Sequence, residues 1–173
     1  MTTALIILII QAAMGAFDTL YYHEYMLGLP WKKQAAKELQ LHAFRDFIYA
    51  IMLITLAWFE VYGIFSFILA GLILAEILIT LLDFIEEDRI RNLPAGERIM
   101  HTLMTFVYAI FLSVFAPVIW NWFAQPSDIT PVNYGWISIL LSLFSAGVLF
   151  SGIRDLAASF GITIFSPYKT DLL

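Results

Sequence analysis

The chain has 173 residues, of which 61% are hydrophobic, with a formal net charge of −5, no cysteine and a mean hydropathy of +0.84. One soluble core cannot hide so much apolar surface, so the composition predicts an integral membrane protein. The lack of cysteine excludes disulfides, thiolate metal ligands and thiol nucleophiles.

Five apolar segments are long enough to cross a membrane, since a transmembrane helix needs roughly 20 mostly apolar residues. We therefore expect one all-α domain over residues 1–173, a polytopic bundle of five transmembrane helices. The segment Ala12–Ala16 resembles a signal-peptidase site, but no basic residue precedes the first helix, so we expect that helix to be retained. The predicted helices cover about residues 3–22, 41–62, 64–84, 99–123 and 134–156.

The joints between these segments are short. Residues 31–40 predict an amphipathic segment that lies at the membrane interface. The link at Tyr62–Gly63 predicts that the second and third helices are antiparallel neighbours. Proline and glycine predict a turn over 91–98 and a loop over 124–135. The fifth helix carries a small-residue face for close packing, formed by Ser138, Ser142 and Ala146.

All nine basic residues fall on one side of a five-helix chain. Because cytoplasmic loops are enriched in Lys and Arg, we expect that side to be cytoplasmic, with the N-terminus outside and the C-terminus inside. Twelve of the fourteen acidic residues lie on the same side, which leaves neither an acidic tail nor a patch for nucleic acid. The basic residues are Lys32, Lys33, Lys37, Arg45, Arg89, Arg91, Arg98, Arg154 and Lys169.

Ionisable side chains inside the spans are functional candidates, because burying a charge in a membrane is costly. The second, third and fourth helices each carry such residues at helical spacing, so each presents a polar stripe on one face. The candidates are Asp18 and His23 on the first helix; Glu38, His42, Arg45 and Asp46 on the second; Glu76, Asp83 and Glu87 on the third; and Glu97 and His101 on the fourth.

The depth of these residues follows from folding the chain into hairpins. A turn at Tyr62–Gly63 pairs His42 with Asp83, and a turn near Asn92 pairs Asp83 with His101. Glu38, Glu87 and Glu97 then lie about one helical turn, roughly 5.4 Å, nearer the cytoplasm. The same arithmetic places Glu76 beside Tyr49 and Tyr108.

Imidazole and carboxylate groups without thiolate suit iron, zinc or manganese, and several carboxylates can hold two ions. We predict His42, Asp83 and His101 as inner metal ligands, with Asp18 and His23 as additional candidates. Glu76 and Asp46 are the predicted catalytic groups, Glu76 as a proton acceptor or deep ligand. An ion pair between Arg45 and one of the acids would weaken this prediction. Bridging or outer ligands are predicted at Glu38, Glu87, Glu97 and Asp46.

A simpler interpretation covers part of the set. Charged groups at a helix end are often solvated or snorkelling, which is our interpretation of Glu24, Glu86, Asp88, Arg89 and Arg91. Acids at helix starts are favoured by the macrodipole, which explains Glu38 and Glu97 equally well. His23 fits a lipid headgroup contact as well as it fits a ligand.

The strings FDTLYYHEY, LPWKK, ELQLHAFRDFIYA, AEILITLLDFIEEDRIRNLP and ERIMHTL resemble a family of bacterial integral membrane proteins of unassigned activity. Members occur alone or joined to epimerase domains of the short-chain-dehydrogenase type. The resemblance covers about the first two thirds of the chain. It implies a multi-pass protein of the bacterial inner membrane beside a soluble redox or epimerase-like partner, and it assigns no catalytic residue.

The leading hypothesis is a membrane enzyme with one or two iron or zinc ions, acting on a lipid-like or amphipathic substrate. Tyrosines near the site favour oxidation over hydrolysis. The alternatives are a proton or divalent-cation transporter, a magnesium-dependent transferase that binds diphosphate through Asp83, Glu86, Glu87 and Asp88, and a non-catalytic membrane partner. The sequence leaves a homodimer open.

Overall fold

The computed structural model describes residues 1–164. Lys169, one of the basic residues predicted on the cytoplasmic side, lies outside them. Five helices in this part are long and apolar enough to cross a membrane, which confirms the predicted all-helical class. The elements are α1 (Thr2–Phe17), a π-helix (Asp18–Met26), two 3₁₀ turns (Leu29–Trp31 and Lys33–Ala35), α2 (Ala36–Trp58), β1 (Phe59–Val61), α3 (Ile64–Ile90), α4 (Ala95–Phe123), β2 (Ile129–Pro131) and α5 (Trp136–Ser159).

The predicted helix bounds were too short where helices continue into charged sequence. The amphipathic segment predicted at 31–40 is instead a pair of 3₁₀ turns that runs into α2 at Ala36. In the same way, α3 continues past residue 84 to Ile90. Apolarity marks only the membrane-length part of a helix, whereas Ala, Lys, Glu and Arg also favour helix in polar surroundings.

The link between α2 and α3 is not the predicted two-residue joint. α2 ends at Trp58, and β1 pairs with β2 as an antiparallel ribbon in which Glu60 lies opposite Thr130. Gly63 then turns the chain with φ +57°, where an added Cβ would lie 2.5 Å from the Ser127 hydroxyl oxygen. Glycine is needed for this turn, and the ribbon covers what we call the ribbon end of the bundle.

The half of the bundle next to the ribbon has an apolar core. α5 packs along α2 through hydroxyls that donate to backbone carbonyls: Ser138 to Ala57 at 2.6 Å and Ser145 to Ala50 at 2.8 Å. The predicted small-residue face thus serves packing, but through Ser145, since Ala146 is exposed. Buried side chains of this core include Leu5, Leu8, Met52, Leu56, Phe111 and Phe115.

Candidate metal centre

The opposite end of the bundle, which we call the cluster end, encloses a group of buried acids, histidines and arginines. The π-helix contributes two of them. An α-helix would place Asp18 and His23 about 140° apart, whereas the i to i+5 pattern of a π-helix brings them to one face. Both are buried, and Asp18 Oδ2 lies 3.3 Å from His23 Nε2 and 3.2 Å from His101 Nε2.

The predicted pairing of His42 with Asp83 is confirmed, because His42 Nε2 lies 3.1 Å from Asp83 Oδ2. The same oxygen accepts a hydrogen bond of 2.8 Å from Arg45. This is the ion pair that weakens the case for Asp83 as a ligand. The predicted contact between Asp83 and His101 is replaced by contacts of His101 with Asp18 and, at 3.6 Å, with Glu87.

Arg91 joins the three carboxylates that the hairpin arithmetic placed in one layer. Its guanidinium donates to Glu38 at 2.8 Å, Glu97 at 2.8 Å and Glu87 at 3.2 Å. The prediction of a solvated turn residue was wrong for Arg91, since its side chain is only 14% exposed. α3 ends at Ile90, and the backbone at Arg91 is extended. The planar guanidinium of Arg91 has several donors and can therefore bind more than one carboxylate.

These contacts keep Arg91 charged. Burial alone would lower the pKa of Arg91, but hydrogen bonds to Glu97 and Glu38 outweigh burial and raise that pKa above its ordinary value. Arg91 binds Oε1 of Glu38 and Oε1 of Glu87. The Oε2 atoms of both residues are buried and have no hydrogen-bond partner.

Potential ligand atoms converge in two groups that share one residue. Atoms of His23, Glu87, Glu97 and His101 lie within 4.8 Å of one another, and so do atoms of Glu38, His42 and Glu87. The His23 and His42 rings stack at 4.6 Å between centroids, which brings the two groups side by side. Glu87, on α3, therefore stands between two places where a cation would be surrounded by nitrogen and oxygen.

Several of these atoms have unused bonding capacity. Glu38 Oε2 and Glu87 Oε2 are buried without a hydrogen bond, and the buried Nε2 atoms of His23 and His42 make only contacts of 3.1–3.4 Å with carboxylate oxygens. An unsatisfied buried polar atom costs about 1–3 kcal/mol, and these four atoms belong to residues of the two groups. Imidazole nitrogen with carboxylate oxygen is a donor set for iron or zinc, so the residues present fit such an ion.

The charges of the cluster also favour a cation. Among the described residues around it, eight carboxylates accompany three guanidinium groups, those of Arg45, Arg91 and Arg154. Divalent ions would offset part of this excess of negative charge. The carboxylates belong to Asp18, Glu24, Glu38, Asp46, Asp83, Glu87, Glu97 and Asp155.

α5 supplies two residues that the sequence analysis did not select. Asp155 Oδ1 accepts hydrogen bonds from Arg154 Nε at 2.8 Å and from an Arg154 terminal nitrogen at 2.7 Å. Asp155 Oδ2 lies 3.8 Å from His42 Nδ1, and Arg154 also pairs with Glu24, the neighbour of His23. The detectable signal was an adjacent Arg and Asp in the last turns of an apolar helix, where charge is costly.

The two predicted catalytic residues lie outside both groups of ligand atoms. Asp46 interacts with Arg45 and with Ser151 of α5. Glu76 is buried one layer further into the bundle, about 10 Å along α3 from Asp83.

The layer around Glu76 matches the hairpin arithmetic. Thr80 donates to Glu76 at 2.9 Å, and Tyr49 and Tyr108 pack at 6.1 Å between ring centroids and lie near the Glu76 carboxyl, as predicted. The Tyr108 hydroxyl and Glu76 Oε2 are buried without a hydrogen-bond partner. Gln11 adds a buried amide oxygen that has no hydrogen-bond partner. α1 to α4 each contribute polar groups to this layer.

Outside the cluster, Glu86 pairs with Lys37 and Arg89, each at 2.8 Å. Both cations are largely exposed, which agrees with the predicted solvated turn for Arg89, but the Glu86 side chain is only 4% exposed. The prediction of a solvated side chain was therefore wrong for Glu86, which the two cations cover. Asp83 and Glu87 face the interior instead. The acids of the alternative diphosphate motif therefore do not form one group: Asp83 and Glu87 join the cluster, Glu86 binds Lys37 and Arg89, and Asp88 is exposed. This weakens that alternative.

The described residues thus form a five-helix bundle of membrane-spanning length with a buried histidine–carboxylate cluster at one end. No family model, curated protein or solved structure matches this chain. The family resemblance seen in the sequence therefore stays a prediction.

Proposed function

We propose that this protein is a membrane-embedded metalloenzyme with a two-metal histidine–carboxylate centre that acts on a lipid-like substrate. The observation that carries the proposal is the membership of Glu87 in both groups of ligand atoms. Helical bundles commonly hold two metals with inward carboxylates and histidines. Two-metal centres space their ions about 3.5–4 Å apart, which suits adjacent groups that share a residue.

The roles of the ligands follow from the two groups. His23, Glu97 and His101 would bind one ion, Glu38 and His42 the other, and Glu87 would bridge them. Arg91 fixes the carboxylates of Glu38 and Glu87 through one oxygen and leaves the other available. Asp18 touches Nε2 of His101, whose Nδ1 faces Glu87, and would orient that ring, which is a common role for carboxylates near metals. Asp83 touches Nε2 of His42, and this contact would be exchanged for the ion.

The donor set suits iron and zinc better than magnesium, which prefers oxygen ligands. Iron would supply oxygen-dependent oxidation, and zinc would supply hydrolysis by an activated water. We favour iron and oxidation, because Tyr49 and Tyr108 pack together at 6.1 Å between ring centroids in the layer next to the proposed ligands, near Glu76. By the positive-inside tendency, the cluster would face the cytoplasmic leaflet of a bacterial inner membrane.

Transport of protons or divalent cations is the second candidate, favoured by the layer of polar groups around Glu76. Beyond that layer, the bundle is filled by apolar side chains such as Phe111 and Phe115. No Asp, Glu, Lys, Arg or His occurs between Glu60 and Glu76 or between residues 102 and 127. A charged pathway to the ribbon end is therefore missing from these segments, and we place transport second.

Elemental analysis of the protein purified in detergent tests the enzyme proposal. We expect about two transition-metal ions per chain, because the two groups are adjacent, and loss of metal in His42→Ala. Glu60→Gln, at the ribbon end, is the matched control and should keep the metal. Wild-type protein without stoichiometric metal, prepared with iron and zinc supplied, would overturn the proposal. Cation uptake into liposomes that Glu76→Gln abolishes would favour transport instead.

A further inference from the structure

An apolar groove of about 460 Å³ runs along α1 on the outer surface of the bundle. Five of its six lining residues lie on α1, and the sixth, Met100, lies on α4. From Ile9 to Phe17 the groove follows nine residues of helix, and the eight rises between them amount to about 12 Å. The lining residues are Ile9, Ile10, Ala13, Met14, Phe17 and Met100.

The groove ends at the candidate metal centre. Phe17 directly precedes Asp18, Met100 directly precedes His101, and Asp18 and His101 are in contact at 3.2 Å. His101 is also the most exposed of the six proposed ligands, with 11% of its side chain accessible, whereas the other five are at most 4% exposed. The most exposed of the proposed ligands is therefore the residue that follows Met100 of the groove lining.

We propose that this groove binds the hydrocarbon chain of a membrane lipid and presents the lipid to the metal centre beside His101. The role of the groove as a substrate site rests on the proposed function, whereas lipid binding itself does not. Both helices that form the groove have the length and apolarity of membrane spans, so the groove opens onto hydrocarbon. Its lining has no charged side chain, which matches an acyl or prenyl chain.

The dimensions favour one chain over a protein partner. The groove is open to the surroundings of the bundle and follows only about 12 Å of α1, which suits a stretch of one hydrocarbon chain lying along the helix. A partner helix or a second copy would cover a longer strip, since stable interfaces bury about 800 Å² per partner. Large side chains nearby, such as Ile6 on α1 and Leu103 and Phe106 on α4, remain exposed as lipid-facing residues do.

Photolabelling tests the groove. The wild-type protein is placed in phosphatidylethanolamine vesicles that contain a phospholipid with a diazirine in its acyl chain, and labelled residues are mapped by mass spectrometry. We expect several-fold more label on the groove residues than on Leu143 of α5, which is 63% exposed. Ala13→Trp should fill the groove and reduce its labelling several-fold, and Ile10→Trp is a second variant with the same expectation.

Gly15→Trp is the matched control. Gly15 lies on the same helix, about 200° around from Ala13, and an added Cβ would meet no atom within 4 Å, so labelling should stay at the wild-type level. Groove labelling no higher than at Leu143, labelling unchanged by both groove variants, or a chain-to-chain crosslink across the groove would each overturn the proposal. Metal content is measured on the same samples, so failure of the groove is distinguished from failure of the metal centre.

Discussion

The Oδ2 atom of Asp155 lies 3.8 Å from the Nδ1 atom of His42. Arg154 fixes the other oxygen of Asp155 with two hydrogen bonds, so α5 directs a carboxylate oxygen at the imidazole. A carboxylate beside Nδ1 favours a proton on that nitrogen, so Nε2 is the nitrogen that would bind a metal. Nε2 now lies 3.1 Å from Asp83 Oδ2, and an ion would take the place of this contact.

We expect Asp155→Asn to weaken zinc binding about 10- to 100-fold, the usual effect of removing a group that orients a ligand. The measurement is competition with a chromophoric chelator in detergent. Asp128→Asn, which alters an exposed acid at the ribbon end, should leave the affinity unchanged. Equal affinities for Asp155→Asn and wild type would show that α5 does not orient His42.

The two groups of ligand atoms predict different metal contents for different variants. Glu38→Gln should remove one ion, because Glu38 belongs to one group only. Glu87→Gln should reduce the content at both places, because Glu87 belongs to both. Glu86→Gln is the adjacent control, since Glu86 binds Lys37 and Arg89 and should not affect metal. Identical losses in Glu38→Gln and Glu87→Gln would contradict a shared carboxylate.

Arg91 should matter most when metal is absent. Arg91→Ala leaves three carboxylates without their common cation, and breaking a buried ion pair costs about 3–5 kcal/mol. We expect a loss of this order in the free energy of unfolding of the metal-free protein, with partial recovery when zinc is added. Circular dichroism during denaturation in mixed micelles measures the loss.

Arg89→Ala is the control for Arg91→Ala. The Arg89 side chain is 67% exposed and pairs with Glu86, and exposed pairs contribute about 0–1 kcal/mol. If the two variants lost equal stability, the cluster would not depend on Arg91.

The sequence was sufficient for the spans and for part of the cluster. Apolar length located all five helices, and hairpin arithmetic brought His42 to Asp83 and Glu76 to Tyr49 and Tyr108. The two pairing predictions were correct because α2, α3 and α4 are regular antiparallel helices. In such helices the distance of a residue from the turn follows from its residue number.

The other residues of the cluster could not be placed from the sequence, because their positions depend on departures from regular helix and on contacts between distant segments. His23 reaches the cluster because Asp18–Met26 form a π-helix. A helical wheel assumes the α-helical repeat and therefore places His23 on another face. Arg91 required a bend of the chain after Ile90, and Asp155 required α5 to pack against α2. Periodicity within one helix contains no information about which distant helix lies beside it.

The packing of α5 on α2 depends on Gly152. An added Cβ at this position would lie 2.9 Å from a Phe47 ring carbon and 3.0 Å from Asp46 Cβ. We expect Gly152→Leu to lower the free energy of unfolding by about 1–3 kcal/mol, as overpacking does, and to weaken metal binding by moving Asp155. Gly147→Leu on the same helix meets no atom within 4 Å and should be tolerated. Equal thermal stability of the two variants would argue against close packing of α5 on α2 at Gly152.

The ribbon end offers a prediction about pH. Tyr62 donates a hydrogen bond of 2.5 Å to Glu60, and this bond raises the pKa of Tyr62 to about 12. Tyr134 donates to the same carboxylate at 2.9 Å, and burial together with this bond raises its pKa as well. Neutral tyrosine is thus favoured in the folded state. The stabilisation is complete below the ordinary tyrosine pKa of about 10 and is lost as pH rises towards about 12.

Glu60→Gln removes the negative acceptor, so both tyrosines should ionise at lower pH than in the wild type. Tyrosinate absorbance between about pH 10 and pH 12 measures this shift, and the variant should show more ionised tyrosine at each pH in that interval. Glu86→Gln, at the other end of α3, should follow the wild-type curve. Superimposable curves for Glu60→Gln and wild type would mean that the carboxylate does not hold these two hydroxyls in the folded protein.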